Sequence, residues 1–119
     1  MKPVLAICLL LASAGCSSTA WDQAFRREMA LVFPDNPPRP IGMDHPIFHT
    51  VYEIKQLGAR HGTARPLLGL SLGDRLAVVY SQDGLNDTAH TTGCCCCGGN
   101  ELSNAEQINV NILAYAVMF

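Results

Sequence analysis

Apolar residues concentrate in segments whose spacing predicts the secondary structure of the chain. Residues 4–13 and 75–81 are mostly apolar, which is typical of strands that are covered on both faces. Residues 67–72 precede the second of these strands, and the Gly73-Asp74 pair between them suits a tight hairpin. Residues 48–54 alternate loosely between apolar and polar side chains, which predicts another short strand.

The predicted strand at residues 75–81 has apolar side chains at successive positions. Because neighbouring side chains of a strand point to opposite faces, alternation places Leu76, Val78 and Tyr80 on one face. Ala77 and Val79 fall on the other. Both sets are apolar, so we expect this strand to be covered on both sides.

Two segments have the 3.6-residue spacing of helices. Residues 19–33 place Trp21, Phe25 and Met29 on one face. Residues 103–118 form the second predicted helix, and Ser103 and Glu106 have the spacing of a capping box. Its apolar stripe is predicted to contain Ile108, Ile112, Tyr115 and Phe119, widened by Leu113 and Val117.

The remaining segments predict connections. Residues 34–46 hold five of the seven prolines, so they predict an extended surface segment rather than a helix or a central strand. Residues 82–102 form a long predicted loop, and loops of this length are often functional. Ligands of open α/β sheets bind beyond the carboxyl ends of strands, so a ligand is expected where the strand 75–81 enters this loop.

Length and composition indicate one small α/β domain spanning residues 1–119. Hydrophobic residues make up 49% of the chain and charged residues 15%, which is too apolar for a disordered protein. The net charge is −2, and the eight lysines and arginines are scattered. A nucleic-acid-binding protein usually shows a basic patch or stripe, so the sequence predicts no nucleic-acid partner.

Residues 1–15 admit two interpretations. The first is a bacterial signal peptide, because Lys2 precedes an apolar run of suitable length. Cys16, which follows Ala14-Gly15, would then be the lipidated first residue of a lipoprotein. The second interpretation is a buried first strand followed by a tight turn into the helix that begins near residue 19.

Several stretches resemble domain of unknown function 4159, a bacterial family. The segments that carry the resemblance are "WDQAFRREMALVFPDNPPRPI", "DHPIFHTVYEI", "LGDRLAVVYSQDGL", "CCCCGGNE" and "NAEQINVNILAYAV". The resemblance covers residues 10–119 and corresponds to the C-terminal half of the family domain. It implies an α/β fold similar to class I glutamine amidotransferases and trehalose-utilisation proteins.

The resemblance bears on the architecture of the chain. It favours the buried strand over the signal peptide, and it implies a partial three-layer, flavodoxin-like sheet that is truncated at the N-terminus. Such a sheet would expose an edge, so self-association through that edge is expected. The protein would then be cytoplasmic. If residues 1–15 are instead a signal, we expect a location in the periplasm or cell envelope, with membrane contact only through a lipidated Cys16.

The run Cys94, Cys95, Cys96 and Cys97 is a candidate metal site, because thiolates bind zinc and other soft metals. His90 could complete the ligand set. Structural zinc sites usually space their cysteines by two to four residues, because adjacent side chains point apart. A glycine-flanked turn with buried, unreactive cysteines is therefore the preferred interpretation, and a vicinal disulfide is a further alternative. The expected cofactor is none, with zinc as the alternative.

Cys16 is also a candidate nucleophile, because the turn in which it would lie is similar to the nucleophile elbow of amidotransferases. The usual elbow glycines are replaced by Ala14 and Ser18. A histidine partner would be needed, and His45 is one candidate. The trehalose-utilisation relatives generally lack the catalytic triad, so the resemblance does not imply an enzyme.

Asp44 and His45 precede Pro46 and are candidate ligand-binding residues, although a structural role in the turn is preferred. The function that the sequence favours is a non-catalytic binding or structural module. A lipoprotein anchored through Cys16 is one alternative. A metal-binding or thiol-dependent enzyme is the other.

Overall fold

The computed structural model describes residues 10–13, 19–60, 62–85 and 102–119, and for residues 10–13 and 19–21 only the course of the backbone. The elements in chain order are β1 Leu10–Ser13, α1 Thr19–Val32, β2 Arg39–Pro40, a 3₁₀ helix Pro46–Phe48, β3 Leu68–Leu72, β4 Arg75–Ser81 and α2 Ala105–Met118. The predicted hairpin and both predicted helices are therefore confirmed to within two residues.

The strands form one mixed sheet in the order β1-β4-β3-β2. β1 pairs in parallel with β4, whereas β4, β3 and β2 pair antiparallel. The predicted first strand covered residues 4–13, and the structure describes its last four residues, which form β1. The predicted signal peptide lies mostly outside the described ranges. Within those ranges β1 has no neighbour on its outer side, but self-association through this edge stays a prediction.

The two helices cover opposite faces of the sheet. On one face, Phe25 of α1 packs against Tyr80, and their rings stack with centroids 4.1 Å apart. On the other face, α2 contributes Ile108, Ile112 and Tyr115 to a larger core that also contains Val79. The expectation that β4 is covered on both sides is confirmed, since every residue from Leu76 to Ser81 is buried.

A β-bulge changes which side chains of β4 share a face. Leu70 pairs with Val78 and Ser71 pairs with Leu76, so Ala77 is the extra residue. Leu76 consequently lies with Val79 in the α2-side core, while Ala77 lies with Val78 and Tyr80 in the α1-side core. The simple alternation predicted for this strand was wrong at its first two apolar positions, because a bulge shifts the two-residue period by one.

The backbone N–H of Leu76, at this bulge, is bonded by a side chain. It donates to the hydroxyl of Tyr115, with 3.1 Å between the nitrogen and the oxygen. Tyr115 belongs to α2, and Arg75 contacts the C-terminus of this helix. The guanidinium of Arg75 donates to the carbonyl oxygens of Ala116 and Phe119. Because no basic residue lies in the last turn of α2, Arg75 supplies the positive charge that favours a helix C-terminus.

Replacing Tyr115 by phenylalanine is expected to lower the free energy of unfolding by about 1–2 kcal/mol, because the buried N–H of Leu76 loses its acceptor. Urea unfolding followed by circular dichroism measures this loss. Tyr52→Phe removes a hydroxyl from an exposed residue and should stay within about 0.5 kcal/mol of the parent. Equal effects of the two variants would contradict the assigned role of Tyr115.

The strand predicted at residues 48–54 is absent, since these residues are the end of a 3₁₀ helix followed by turn and coil. Pro46 stands at the start of the 3₁₀ helix, where its missing N–H costs nothing. Ile47, Phe48 and Ile54 are buried among the residues of the α2-side core. The backbone N–H groups of Val51 and Tyr52 donate to the side chain of Asn111 in α2, and not to a neighbouring strand.

α2 begins without the predicted capping box. The side chain of Asn104, its first flanking residue, makes no cap hydrogen bond. It accepts instead from the backbone N–H of Gly58 and donates to the carbonyl oxygen of Gln56. The predicted stripe was also too wide: Leu113 is 69% exposed and Val117 is 81% exposed, because the sheet and the 46–54 segment cover only part of the helix circumference.

No helix in the described ranges is long and apolar enough to cross a membrane.

Candidate functional site

A cavity of about 370 Å³ lies between the proline-rich segment and the β2 side of the sheet. Its polar lining comes from Asn36, Arg39, Asp44, His45 and Ser71, and its apolar lining includes Pro37, Pro40, Ile41, Pro46 and Leu76. A volume near the lower end of the usual 300–1,000 Å³ range for ligand pockets suits a small ligand.

The local sequence explains why the cavity forms there. Residues 34–46 pass over the sheet edge as an extended segment that pairs only briefly with β3 through Arg39–Pro40. Its continuation is fixed by a hydrogen bond from the N–H of Ile41 to the carbonyl oxygen of Leu67, at 2.8 Å. At Gly69 a Cβ would lie 2.5 Å from Cδ1 of Leu76 and 2.8 Å from Cγ1 of Ile41, so a larger residue there would displace these two lining side chains.

His45 lines the cavity in one defined tautomer. Its Nδ1 accepts a hydrogen bond from the N–H of Ile47, at 3.1 Å. A backbone N–H can only donate, so Nδ1 carries no proton and the neutral ring holds its proton on Nε2. Burial lowers the pKa of His45 from its ordinary value, while the charge of Asp44 acts in the opposite direction. The imidazole therefore favours the neutral form and offers one N–H donor.

The lowered pKa of His45 predicts that the protein is less stable in mild acid. The unfolded chain binds a proton at His45 near pH 6.5, whereas the folded chain binds it only at lower pH. The contribution of His45 to stability is thus complete above pH 6.5 and is lost as the pH falls through the folded-state pKa. Thermal unfolding at several pH values measures this loss.

The control for this prediction is His45→Gln, which removes the titrating ring. We expect a flatter dependence of the melting temperature on pH below 6.5 in the variant. His49→Gln serves as the matched second histidine variant, because His49 lies four positions away and its ring contacts the carboxylate of Glu53 instead of lining the cavity. An unchanged acid profile in His45→Gln would contradict the prediction.

Arg39 and Asp44 place opposite charges on the wall of the same cavity without pairing to each other. Both side chains belong to exposed residues, and no ion pair joins them among the described residues. Asp44 and His45 are the two candidate ligand-binding residues of the sequence analysis, and both line the cavity. Their role in binding a ligand stays a prediction.

Sequence reasoning missed Arg39 and Asn36 as cavity residues. The proline-rich segment was predicted only as a connection, although its alternation of prolines with Asn36 and Arg39 was visible. Asn36 is positioned by a hydrogen bond from its Nδ2 to the carbonyl oxygen of Ser71, at 2.7 Å. Only the folded chain shows that these polar residues, the Asp44-His45 pair and β3 meet at one place.

The other predicted site residues lie outside the described ranges. These are Cys16, His90, Cys94, Cys95, Cys96 and Cys97. The predictions of a nucleophile, a lipid anchor and a zinc site therefore stay predictions. Within residues 22–60, 62–85 and 102–119, no three histidine, cysteine or carboxylate side chains gather closely enough to hold a metal ion.

The carboxyl end of β4, where a ligand was also expected, holds a network of polar side chains in the described ranges. Asp83 is fully buried, and its carboxylate accepts hydrogen bonds from the backbone N–H, Nε and Nη2 of Arg65. These bonds join the segment before β3 to the end of β4. The carboxylate has protein partners on both oxygens, which indicates a structural role.

A second carboxylate, Asp22, joins α1 to the same end of β4. It accepts from Arg26 at 3.0 Å and from Gln82 at 3.2 Å. Burial acts to raise the pKa of Asp22, but Arg26, which donates to the carboxylate and carries a positive charge, acts in the opposite direction, and the pKa is lowered. Burial and the nearby Asp22 carboxylate raise the pKa of Tyr80 to about 12, so its hydroxyl stays protonated.

The chain matches a known protein family. A family model described as "Domain of unknown function (DUF4159)" matches residues 8–117. No curated protein and no solved structure matches the chain at a significant level.

Proposed function

Because the chain belongs to the DUF4159 family, whose description names no activity, we propose a function from the cavity: this domain is a non-catalytic module that binds a small polar ligand. The observation that carries the proposal is the mixed lining, in which Arg39, Asp44 and His45 surround apolar walls formed largely by prolines. Polar and apolar side chains share this wall about equally, and concave sites that combine apolar surface with a few placed polar groups are typical of small-molecule binding.

The geometry of His45 supports binding over catalysis. A histidine acts as a general base through an unprotonated ring nitrogen within reach of the substrate. In His45 that nitrogen is Nδ1, and it already accepts the N–H of Ile47. The remaining Nε2–H can donate a hydrogen bond to a ligand but cannot accept a proton from one.

The proposal is tested by screening a library of small polar fragments against the full chain by ¹H–¹⁵N correlation NMR. We expect the amide signals of Gly42, Asp44 and Gly69 to shift with bound fragments, without any conversion of those fragments. Ser71→Trp places a large ring at the cavity wall and should abolish the shifts. Leu113→Trp is the matched control, because Leu113 is exposed on α2 and does not line the cavity.

Two results would overturn the proposal. Fragments that bind equally well to the Ser71→Trp variant do not occupy the cavity. Chemical conversion of a bound fragment, lost in Ser71→Trp, would mean that the site is catalytic.

We further propose that the fold is a partial flavodoxin-like sheet similar to that of class I glutamine amidotransferases. Its support is the parallel pairing of β1 with β4 and the presence of α1 and α2 on opposite faces. The antiparallel β2 and β3 depart from an all-parallel sheet. A crystal structure of the full chain in which β1 pairs with anything other than β4 would refute this assignment.

A further inference from the structure

The cavity carries one cationic and one anionic side chain that do not neutralise each other. Arg39 lies on the edge strand β2, and Asp44 lies in the turn before the 3₁₀ helix. Neither side chain makes a hydrogen bond or an ion pair with another described residue, although the charge of Asp44 acts on the neighbouring His45. Since His45 favours its neutral form, the net charge of the described cavity wall is close to zero.

Each of these groups selects a different partner. A guanidinium offers several donors in a planar fork that matches a carboxylate. A carboxylate such as that of Asp44 accepts hydrogen bonds from an ammonium group. The Nε2–H of His45 adds a neutral donor, so the cavity contains donors for an anionic group and an acceptor for a cationic group.

The apolar part of the lining suits the aliphatic part of a small ligand. Pro37, Pro40 and Pro46 are rigid apolar residues on the cavity wall, and Ile41 and Leu76 complete the apolar lining. They can contact a short aliphatic chain between two charged ends. The volume of about 370 Å³ leaves room for a compound of amino-acid size.

We propose that the ligand of this cavity is a small zwitterion, with a carboxylate held by Arg39 and an ammonium group held by Asp44. This inference rests on the proposed binding function and adds the chemical class of the ligand. A ligand with only one charge would leave either Arg39 or Asp44 unpaired at the contact, whereas a zwitterion satisfies both and keeps the complex neutral.

The experiment titrates the full chain with glycine, β-alanine and 4-aminobutyrate, and follows the amide signals of Gly42, Asp44 and Gly69 by NMR. Propionate and propylamine are the matched controls, because each keeps one charge and a similar aliphatic chain. We expect at least one of the three zwitterions to bind about tenfold more tightly than either control, since a hydrogen-bonded charge pair is lost with each control.

Two variants of the protein complete the test. Asp44→Asn removes the charge and keeps the size of the side chain, whereas Arg39→Gln removes the charge, shortens the side chain and keeps it polar. We expect Arg39→Gln to weaken the best zwitterion about tenfold and to leave propylamine unchanged. Asp44→Asn should weaken the same zwitterion and leave propionate unchanged. This crossed pattern distinguishes a specific charge contact from a loss of folding, which would weaken every probe.

The possible failures are distinguishable. If propionate or propylamine binds in the cavity as tightly as the zwitterions, the zwitterion class is wrong and the binding function stands. The same conclusion follows if fragments of another class shift the cavity signals while all three zwitterions do not. If no fragment shifts these signals, both the zwitterion inference and the proposed binding function are wrong.

Discussion

Replacing Arg65 by methionine is expected to lower the free energy of unfolding by about 3–5 kcal/mol, because it leaves a buried carboxylate without its cation. Asp83 is 0% exposed and accepts from Nε of Arg65 at 3.1 Å and from Nη2 at 2.8 Å. Methionine keeps the aliphatic part of the side chain and removes only the guanidinium. After the substitution, the backbone N–H of Arg65 is the one donor of this residue that still reaches the carboxylate.

Replacing Asp83 by asparagine should lower the free energy of unfolding less than replacing Arg65 does. In Asp83→Asn the buried charge itself disappears, and the side chain of Arg65, which is 44% exposed, can turn towards water. We expect a loss of about 1–3 kcal/mol from the hydrogen bonds that asparagine cannot replace. The structure thus predicts that removing the cation lowers the free energy of unfolding more than removing the anion does.

Urea unfolding of both variants measures this asymmetry. Arg27→Met is the matched control, because Arg27 is an exposed residue of α1, and we expect it to stay within about 0.5 kcal/mol of the parent. A loss in Arg65→Met no larger than that of Arg27→Met would show that the pair does not stabilise the fold.

Replacing Asn111 by leucine should lower the free energy of unfolding by about 3 kcal/mol, since three hydrogen bonds from this buried side chain to one segment are lost together. The Oδ1 of Asn111 accepts from the N–H groups of Val51 and Tyr52, and its Nδ2 donates to the carbonyl oxygen of Tyr52. Leucine has nearly the same size, so the loss reports the hydrogen bonds rather than a cavity.

The segment that Asn111 holds should also become more dynamic in this variant. The backbone amides of Val51 and Tyr52 are expected to exchange with deuterium faster than in the parent, whereas amides of β3 and β4 should keep their relative protection. Gln107→Ala is the control, because Gln107 is exposed on the same helix. It should change the free energy of unfolding by no more than about 0.5 kcal/mol and leave the exchange of these amides unchanged. Unchanged exchange at Val51 and Tyr52 would contradict the assignment.

Some parts of this molecule follow directly from local sequence. The β3–β4 hairpin was predictable because two apolar runs flank Gly73-Asp74, and Gly73 adopts φ 66°, which glycine tolerates without strain. The two helices were predictable because their apolar residues recur at the helical period over 14 residues each. The family resemblance was also carried by contiguous stretches and is confirmed over residues 8–117.

Other parts depend on contacts between residues far apart in the chain. The segment 48–54 has the alternation of a strand, but Asn111, about 60 positions away, satisfies its backbone groups from α2. The bulge at Ala77 is stabilised by the hydroxyl of Tyr115, which bonds the N–H of Leu76. No local pattern at residues 48–54 or 75–81 contains this information.

The candidate site also combines features that local sequence encodes with features that depend on long-range contacts. The sequence by itself placed Asp44 and His45 among the candidate ligand-binding residues, and both line the cavity, but their role in binding stays a prediction. The sequence also determined the helices, the hairpin and the family, since each is encoded by neighbouring residues. Only the tertiary structure brought Ser71 of β3 and Leu76 of β4 to the cavity that Asp44 and His45 line, and joined Asn111 of α2 to residues 51–52. Those features require side chains that are distant in sequence to meet, and the free energy of each contact is gained only when the whole sheet has formed.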